Sequence, residues 1–173
     1  WTDSSETFSE DLIAQYDTER SPNRYLFQEG RTLSQKECPQ MLSVYFPSKN
    51  EVLLQYDCLP NTALVPLVNQ RVQKILLQLA PNDIQIIPVV IECDDASVSG
   101  YGFINIIHKI VGIDSEKSQY TTMIKTPRIR SFNYLTYTVG CMKQLNLARD
   151  EEYLGNLLVS APVFHVFQLK HIS

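Results

Sequence analysis

Apolar and polar residues alternate along this chain in short blocks whose spacing changes from block to block. The longest block with helical spacing covers residues 64–79, where apolar side chains recur at steps of three and four. This spacing predicts one amphipathic helix, which starts either at the N-cap residue Asn69 or one step earlier, with Pro66 in its first turn. The apolar positions are Val65, Val68, Val72, Ile75, Leu76 and Leu79.

Two long runs rich in β-branched residues follow this helix and predict strands. Residues 84–91 are apolar almost throughout, which is typical of a strand with both faces covered. Pro88 has no N–H to donate, so its position indicates a sheet edge or a bulge. Residues 92–100 are predicted as a loop, and residues 101–111 as a second long strand. We expect these two strands to pair antiparallel at the centre of the sheet.

Shorter patterns complete an α+β prediction with a mostly antiparallel sheet, the helix 64–79 and a few short helices. The chain is expected to be a single domain, 1–173, in which residues 1–56 are a candidate peripheral extension. Residues 41–46 and 52–56 are predicted to form a hairpin through the turn residues 47–50. Further strands are expected at 25–27, 120–125, 132–139, 157–159 and 163–169, a surface helix within 4–16, and a short helix or loop at 141–147.

Composition narrows the class of protein without defining its function. The chain has 173 residues, 44% hydrophobic and 20% charged, which fits one globular core. No apolar run reaches the roughly 18 residues that a spanning helix needs, and the first residues lack the pattern of a signal peptide. The four cysteines form no C-x-x-C pair, and no Asn-x-Ser/Thr acceptor is present. We therefore expect a cytoplasmic protein without a membrane partner.

Charge is distributed unevenly along the chain. The formal net charge is -4, and residues 1–60 hold ten Asp or Glu against five Lys or Arg. An acidic chain is a poor candidate for nucleic-acid binding, which relies on basic side chains to neutralise phosphates. The acidic segment 1–60 is either a solvated surface or a surface that meets a basic partner.

No catalytic, metal or nucleotide motif stands out. The only glycine pair near a strand, Gly100 and Gly102, lacks the third glycine and the helix of a dinucleotide site, so we expect no cofactor. His108 lies in an apolar strand and is expected to be a hydrogen-bonded ring. An enzyme of unrecognised class that uses His108, or a cysteine such as Cys93 or Cys141, is the alternative to a binding protein.

Two acidic turns are the candidate binding residues. Glu92, Asp94 and Asp95 follow the first long strand, and Asp114 and Glu116 follow the second. Because the two turns lie at opposite ends of the strand 101–111, they are not expected to form one patch. The first group is preferred. It is open to three interpretations: a solvated turn, a contact for a basic partner, or a site for a hard cation, although it lacks calcium-loop spacing.

The order of motifs from Asp57 onward resembles a family of bacterial immunity proteins from polymorphic-toxin systems, the eleventh-numbered immunity family. In that family a helix, a strand containing proline and valine, and a tyrosine-rich strand ending at an aspartate follow one another. Here Asn69 stands where the family has serine, and Gln168 stands where it has arginine. The resemblance extends over about two thirds of the chain, and the segments that carry it are 56–60, 68–76, 84–92, 101–107, 113–114, Ser118, Tyr120 and 163–169.

The resemblance implies a protein without catalysis that stays in the cytoplasm of the producing cell and blocks a cognate toxin by binding it. It supplies no contact residues, so the acidic turns rest on their chemistry alone. A scaffold subunit that pairs through exposed strand edges is the other non-catalytic alternative.

Overall fold

The computed structural model describes residues 12–124, 126 and 128–172. In this part of the chain, helices and strands form an α+β fold, as the sequence predicts. The helices are α1 (Asn50–Leu53), α2 (Gln70–Leu79) and α3 (Ala161–Leu169), with a 3-10 helix at Arg24–Gln28. The strands are β1 (Gln15–Tyr16), β2 (Leu42–Phe46), β3 (Cys58–Leu59), β4 (Leu67–Val68), β5 (Ile84–Cys93), β6 (Ser97–Ile106), β7 (Lys109–Ile110), β8 (Gln119–Thr122), β9 (Ile129–Tyr134), β10 (Leu147–Asp150) and β11 (Leu157–Val159).

The strands form a main sheet and two small ones. The main sheet has the order β1-β2-β5-β6-β4-β3, the second β11-β10-β7, and the third contains β8 and β9 alone. Two of the pairings are parallel, β2 with β5 and β10 with β7, so the sheets are mixed and not purely antiparallel.

The predicted antiparallel centre is confirmed, since β5 and β6 pair from Ile84 opposite Ile106 to Glu92 opposite Ser97. The predicted loop 92–100 is much shorter than expected, because β6 already begins at Ser97. The second strand was predicted to reach residue 111, but it ends at Ile106. Pro88 lies one residue before β2 begins to pair with β5, and the register shifts just after it. The missing N–H therefore faces no neighbouring strand on that side.

The predicted hairpin over 41–56 is wrong in its second half. Strand β2 forms, but it pairs in parallel with β5, and residues 50–53 are helical instead of extended. The apolar residues of the predicted strand 52–56 serve a different purpose: Leu53 is fully buried and Val52 packs against the same core. One short helical turn places both side chains on the sheet. The sequence pattern alone does not distinguish such a turn from a strand.

The amphipathic helix is confirmed, with a later start than residue 64. The Asn69 side chain accepts a hydrogen bond from the Val72 amide at 3.1 Å, so Asn69 is the N-cap. Residues 67–68 before it are extended and form β4. The buried side of α2 carries Val72, Ile75 and Leu76.

Two other predicted strands are helical. Residues 25–27 lie in the 3-10 helix, where Asn23 caps the Tyr25 amide at 3.1 Å. Residues 163–169, predicted as a strand, belong to α3, with Pro162 in its first turn. Val163 is fully buried and Phe167 packs against the same cluster, so the contact recurs every four residues as a helix requires.

The remaining predictions have mixed outcomes. The strand at 157–159 is confirmed, while β8 and β9 overlap the predicted strands 120–125 and 132–139 and each begins earlier. The candidate segment 141–147 contains turns up to the start of β10. Of the predicted helix within 4–16, residues 4–11 lie outside the described residues, and residues 15–16 form β1.

The main sheet separates two hydrophobic clusters. Phe103, Val89 and Ile91 face one cluster, which the 3-10 helix and α1 cover through Phe27 and Leu53. Ile104 and Ile106 face the other, which is covered by α2, α3 and β10. Alternation along β6 sends neighbouring residues to opposite clusters, so both faces of the central strands are covered. The described part of the segment 1–56 contributes β1, β2 and much of the first cluster.

Candidate functional site

The hairpin between β5 and β6 carries the preferred acidic group. Glu92 is the last exposed residue of β5 before the turn, and it lies opposite Ser97, whose hydroxyl donates a hydrogen bond to its carboxylate. Asp94 and Asp95 form the turn and are exposed. All three side chains thus lie at one end of the main sheet.

Two of these carboxylates hold the hairpin against the connection from β2 to α1. The Tyr45 hydroxyl donates to Asp94 Oδ1 at 2.5 Å, and the Asn50 amide donates to Asp95 Oδ1 at 2.8 Å. Asp95 therefore caps α1, since the N-cap residue Lys49 makes no side-chain cap bond. A backbone bond from the Asp94 amide to the Ser48 carbonyl, 3.1 Å, adds a third link. Each of the two bonds uses one carboxylate oxygen, and the charge stays at the surface.

A groove of about 370 Å³ runs along the adjacent edge of the sheet, beside β1 and β2. Tyr45 and Met41, which are 46% and 60% exposed, give it an apolar and aromatic lining. The other lining residues are Gln15, Tyr16, Asp17, Arg20, Ser21, Pro39, Leu42, Ser43, Val44 and Glu92.

We call Asp17, Glu51, Glu92, Asp94 and Asp95 the acidic edge. Asp17 and Glu92 line the groove, and Glu51 follows the residue whose amide Asp95 accepts. The hydrogen bond to Asp94 raises the pKa of Tyr45. Burial first, and then the charges of Asp95, Asp94 and Glu92, raise the pKa of the Cys93 thiol. The carboxylates of the acidic edge thus produce a negative electrostatic field at the neighbouring Cys93 thiol.

Cys93 offers a direct measurement of this field. Replacing Glu92 by glutamine removes one negative charge, so the pKa of Cys93 should fall and its iodoacetamide alkylation at pH 8 should become about 2-fold faster. The rate is followed by mass spectrometry of the Cys93 peptide. The matched change Glu116→Gln should leave that rate unchanged, and equal acceleration by both variants would contradict the assignment of the field to the acidic edge.

The second acidic group, Asp114 and Glu116, lies in a separate turn beyond the far end of β6. The Asp114 carboxylate accepts from the Glu116 and Lys117 amides at 3.2 Å and lies 3.0 Å from Lys117 Nζ. The hydrogen bond from Lys117, first among these contacts, lowers the pKa of Asp114. Asp114 therefore stabilises its own turn, while the Glu116 side chain is exposed.

His108 belongs to a structural junction. Its Nε2 lies 2.9 Å from the Asn82 carbonyl oxygen and 3.6 Å from Asp83 Oδ1. Asp83 is buried, and its other oxygen accepts the Asn146 and Leu147 amides at 2.6 and 3.0 Å. These contacts fasten the start of β5 to β10.

The cysteines and the metal-binding residue types form no shared centre in the described part of the chain. All four cysteines are free thiols there. Burial raises the pKa of Cys38, and it raises that of Cys58 to about 12, with a contribution from the Asp57 charge. Within residues 12–124, 126 and 128–172, no group of three or more His, Cys, Asp or Glu side chains is placed to hold a metal ion. No helix among these residues is long and apolar enough to cross a membrane.

Sequence reasoning missed two features with unusual charge. The hairpin of β8 and β9 is exposed and basic, and Arg149 and Asp150 are fully buried side by side on β10. A charge count over a sliding window would have found the first, because residues 117–149 contain six Lys or Arg and no Asp or Glu. The second leaves no sequence signal, since charged residues normally predict exposure.

Comparison with known proteins adds no relative. No family model and no curated protein matches this chain. The resemblance to the immunity family stays a prediction, and the geometry of the acidic edge is the basis for the function proposed next.

Proposed function

We propose that this chain is a non-catalytic, immunity-type protein that acts in the cytoplasm and neutralises a basic toxin by binding it at the acidic edge. The observation that carries the proposal is the groove of about 370 Å³ beside β2, lined by Tyr45 and Met41 and by two acidic side chains, Asp17 and Glu92, together with the basic Arg20. Protein interfaces commonly combine aromatic anchors of this kind with a polar rim.

Rigidity of the acidic edge supports this proposal. Asp94 and Asp95 are tied to Tyr45 and Asn50, residues 49 and 45 positions away in sequence. Their charges are therefore held in place before any partner arrives, which lowers the entropy lost on binding. A fixed acidic surface accelerates association with a basic partner and disfavours acidic ones.

The chemistry of toxins that act on nucleic acids supports a basic partner. Such toxins bind phosphates through Lys and Arg, so an acidic protein surface complements the same side chains. The alternative of an enzyme using His108 or a cysteine has less support. The His108 ring nitrogen is engaged with Asn82, and the raised pKa values of Cys38, Cys58 and Cys93 disfavour a thiolate.

The test begins with the products of neighbouring genes. A candidate toxin that stops growth when expressed alone, and is harmless when co-expressed with this chain, is the expected partner. Its affinity is then measured by calorimetry for the parent chain and for Glu92→Lys. Glu92 is chosen because its carboxylate does not anchor the hairpin to α1 or β2. We expect Glu92→Lys to weaken binding about 10- to 100-fold, and to do so less at high salt.

Glu116→Lys is the matched control, since it makes the same charge change at an exposed glutamate of the other turn. We expect its effect to be below about 2-fold, because charges more than a Debye length away are screened. Equal weakening by the two variants would show that only net charge matters. If no neighbouring product is both toxic and rescued, the proposed function fails as a whole.

A further inference from the structure

The hairpin of β8 and β9 projects from the described body as an arm. Its two strands pair only with each other, and all four residues of β8 are exposed. The Met123 amide donates to the Arg128 carbonyl at 2.9 Å and closes the tip. Two register shifts, after Gln119 and after Thr121, increase the twist of the strands.

The base of the arm is anchored to the described body. The Phe132 ring lies 5.1 Å from the Tyr153 ring and 6.0 Å from the Tyr120 ring, both in edge-to-face geometry. The Ser118 hydroxyl exchanges hydrogen bonds of 3.0 Å with the carbonyl and amide of Thr136. The arm therefore has a fixed direction relative to β10 and β11.

Aliphatic side chains stand at the tip without cover. Ile124 is 97% exposed and Met123 49% exposed. A single exposed aliphatic residue is ordinary. Two at the tip of an anchored hairpin concentrate apolar surface at the point that a binding partner would contact first.

The sequence of this hairpin is basic. Residues 118–134 contain Lys125, Arg128 and Arg130 and no acidic residue, although the whole chain carries -4. Arg128 and Arg130 are exposed. The arm is thus locally cationic, and it complements an anionic surface.

We propose that this arm binds an anionic lipid bilayer, with Met123 and Ile124 entering the headgroup region and Arg128 and Arg130 contacting lipid phosphates. Aliphatic residues placed ahead of cations suit a bilayer interface, because the aliphatic side chains enter the headgroup region while the cations contact the lipid phosphates. Single-stranded nucleic acid would instead need aromatic rings beside the cations for stacking, and residues 121–131 contain none. The exposed rings Tyr120 and Tyr134 lie towards the base, where they pair opposite Phe132 and Gln119.

The small size of this arm also explains why the sequence predicted no membrane partner. The length criterion detects segments that cross a bilayer, and a hairpin of this size only touches one. The cytoplasmic leaflet is the anionic one, so a lipid contact is compatible with the cytoplasmic location that we propose. The arm shares no residue with the acidic edge, and the two proposals can fail separately.

The experiment uses the full chain and vesicles of phosphatidylcholine, with or without a quarter of phosphatidylglycerol, in a flotation assay. The parent should bind the anionic vesicles and not the neutral ones. Arg128→Gln with Arg130→Gln should reduce partitioning about 25-fold, on the basis of about 5-fold per cation. Ile124→Ser should reduce it about 10-fold.

Each variant has a control of equal chemistry elsewhere. Val139→Ser changes another aliphatic residue that is 99% exposed, and Lys36→Gln with Lys74→Gln removes two exposed cations. Both should bind vesicles within about 2-fold of the parent, since neither touches the arm. Equal loss in the arm and control variants overturns the proposal, as does the absence of any preference for anionic vesicles. Binding to a duplex DNA probe that only the arm variants lose, without vesicle binding, would assign the arm to nucleic acid instead.

Discussion

Replacing Asp150 by alanine should destabilise the fold by about 3 kcal/mol, a large share of the stability of a domain this size. Asp150 is fully buried, and its carboxylate accepts three hydrogen bonds. The Tyr137 hydroxyl donates at 2.7 Å, and the Glu152 and Tyr153 amides donate at 2.9 and 3.2 Å. Alanine would leave these three donors without an acceptor. Urea unfolding followed by circular dichroism measures the change.

Two further variants define the cause of this loss. Tyr137→Phe removes one of the three donors and should cost about 1 kcal/mol. Glu116→Ala, an exposed acidic residue, should change stability by less than about 0.5 kcal/mol. If Asp150→Ala unfolds at the same urea concentration as the parent, the buried carboxylate does not organise the turn between β10 and β11.

Arg149→Met is expected to act in the opposite direction and raise stability by about 1–3 kcal/mol. The Arg149 side chain is 1% exposed. Its Nη1 donates to the Leu154 carbonyl, but Nε and Nη2 have no hydrogen-bond partner among the described residues. Methionine keeps a long, flexible side chain and removes the buried charge. The free energy of unfolding is again obtained from urea titration.

The pKa of Arg149 supports this expectation. Burial lowers the pKa of the Arg149 guanidinium to about 10. The charged form is therefore disfavoured in the folded state, and this destabilisation is fully present below about pH 10 and diminishes at higher pH. Arg130→Met, on the exposed arm, is the matched control and should be neutral. A large loss of stability in Arg149→Met would contradict a net cost from the buried charge and its two nitrogens without a hydrogen-bond partner.

Local pattern was sufficient for the centre of the fold. The run 84–91 predicted β5, and the three- and four-residue spacing together with Asn69 predicted α2 and its cap. These elements are long enough for periodicity to separate strand from helix. Pro88 was read correctly as an edge or bulge, because a missing N–H constrains pairing in any context.

Short apolar runs were insufficient to predict the type of element, because three to seven residues are compatible with both the helical and the strand period. Val52 and Leu53 became helical where their side chains reach the core, and residues 163–169 became α3 after Pro162. Tertiary contact decided both cases. The candidate site shows the same limit: Asp94 and Asp95 could be chosen from the sequence, whereas their bonds to Tyr45 and Asn50 join positions 49 and 45 residues apart. The basic arm was missed because charge was counted only over residues 1–60 and over the whole remainder of the chain.

The parallel pairing of β2 with β5 determines the order in which the main sheet can assemble. Strands β5 and β6 are joined by a short turn and are close in sequence. Leu42 of β2, in contrast, can pair with β5 only after Val89 has been synthesised. During synthesis from the N-terminus, the first cluster of the core therefore has no sheet to pack on until about half of the chain has left the ribosome. Until then Phe46 and its apolar neighbours on β2 are exposed to solvent. In this interval the chain therefore presents the most apolar surface to a chaperone.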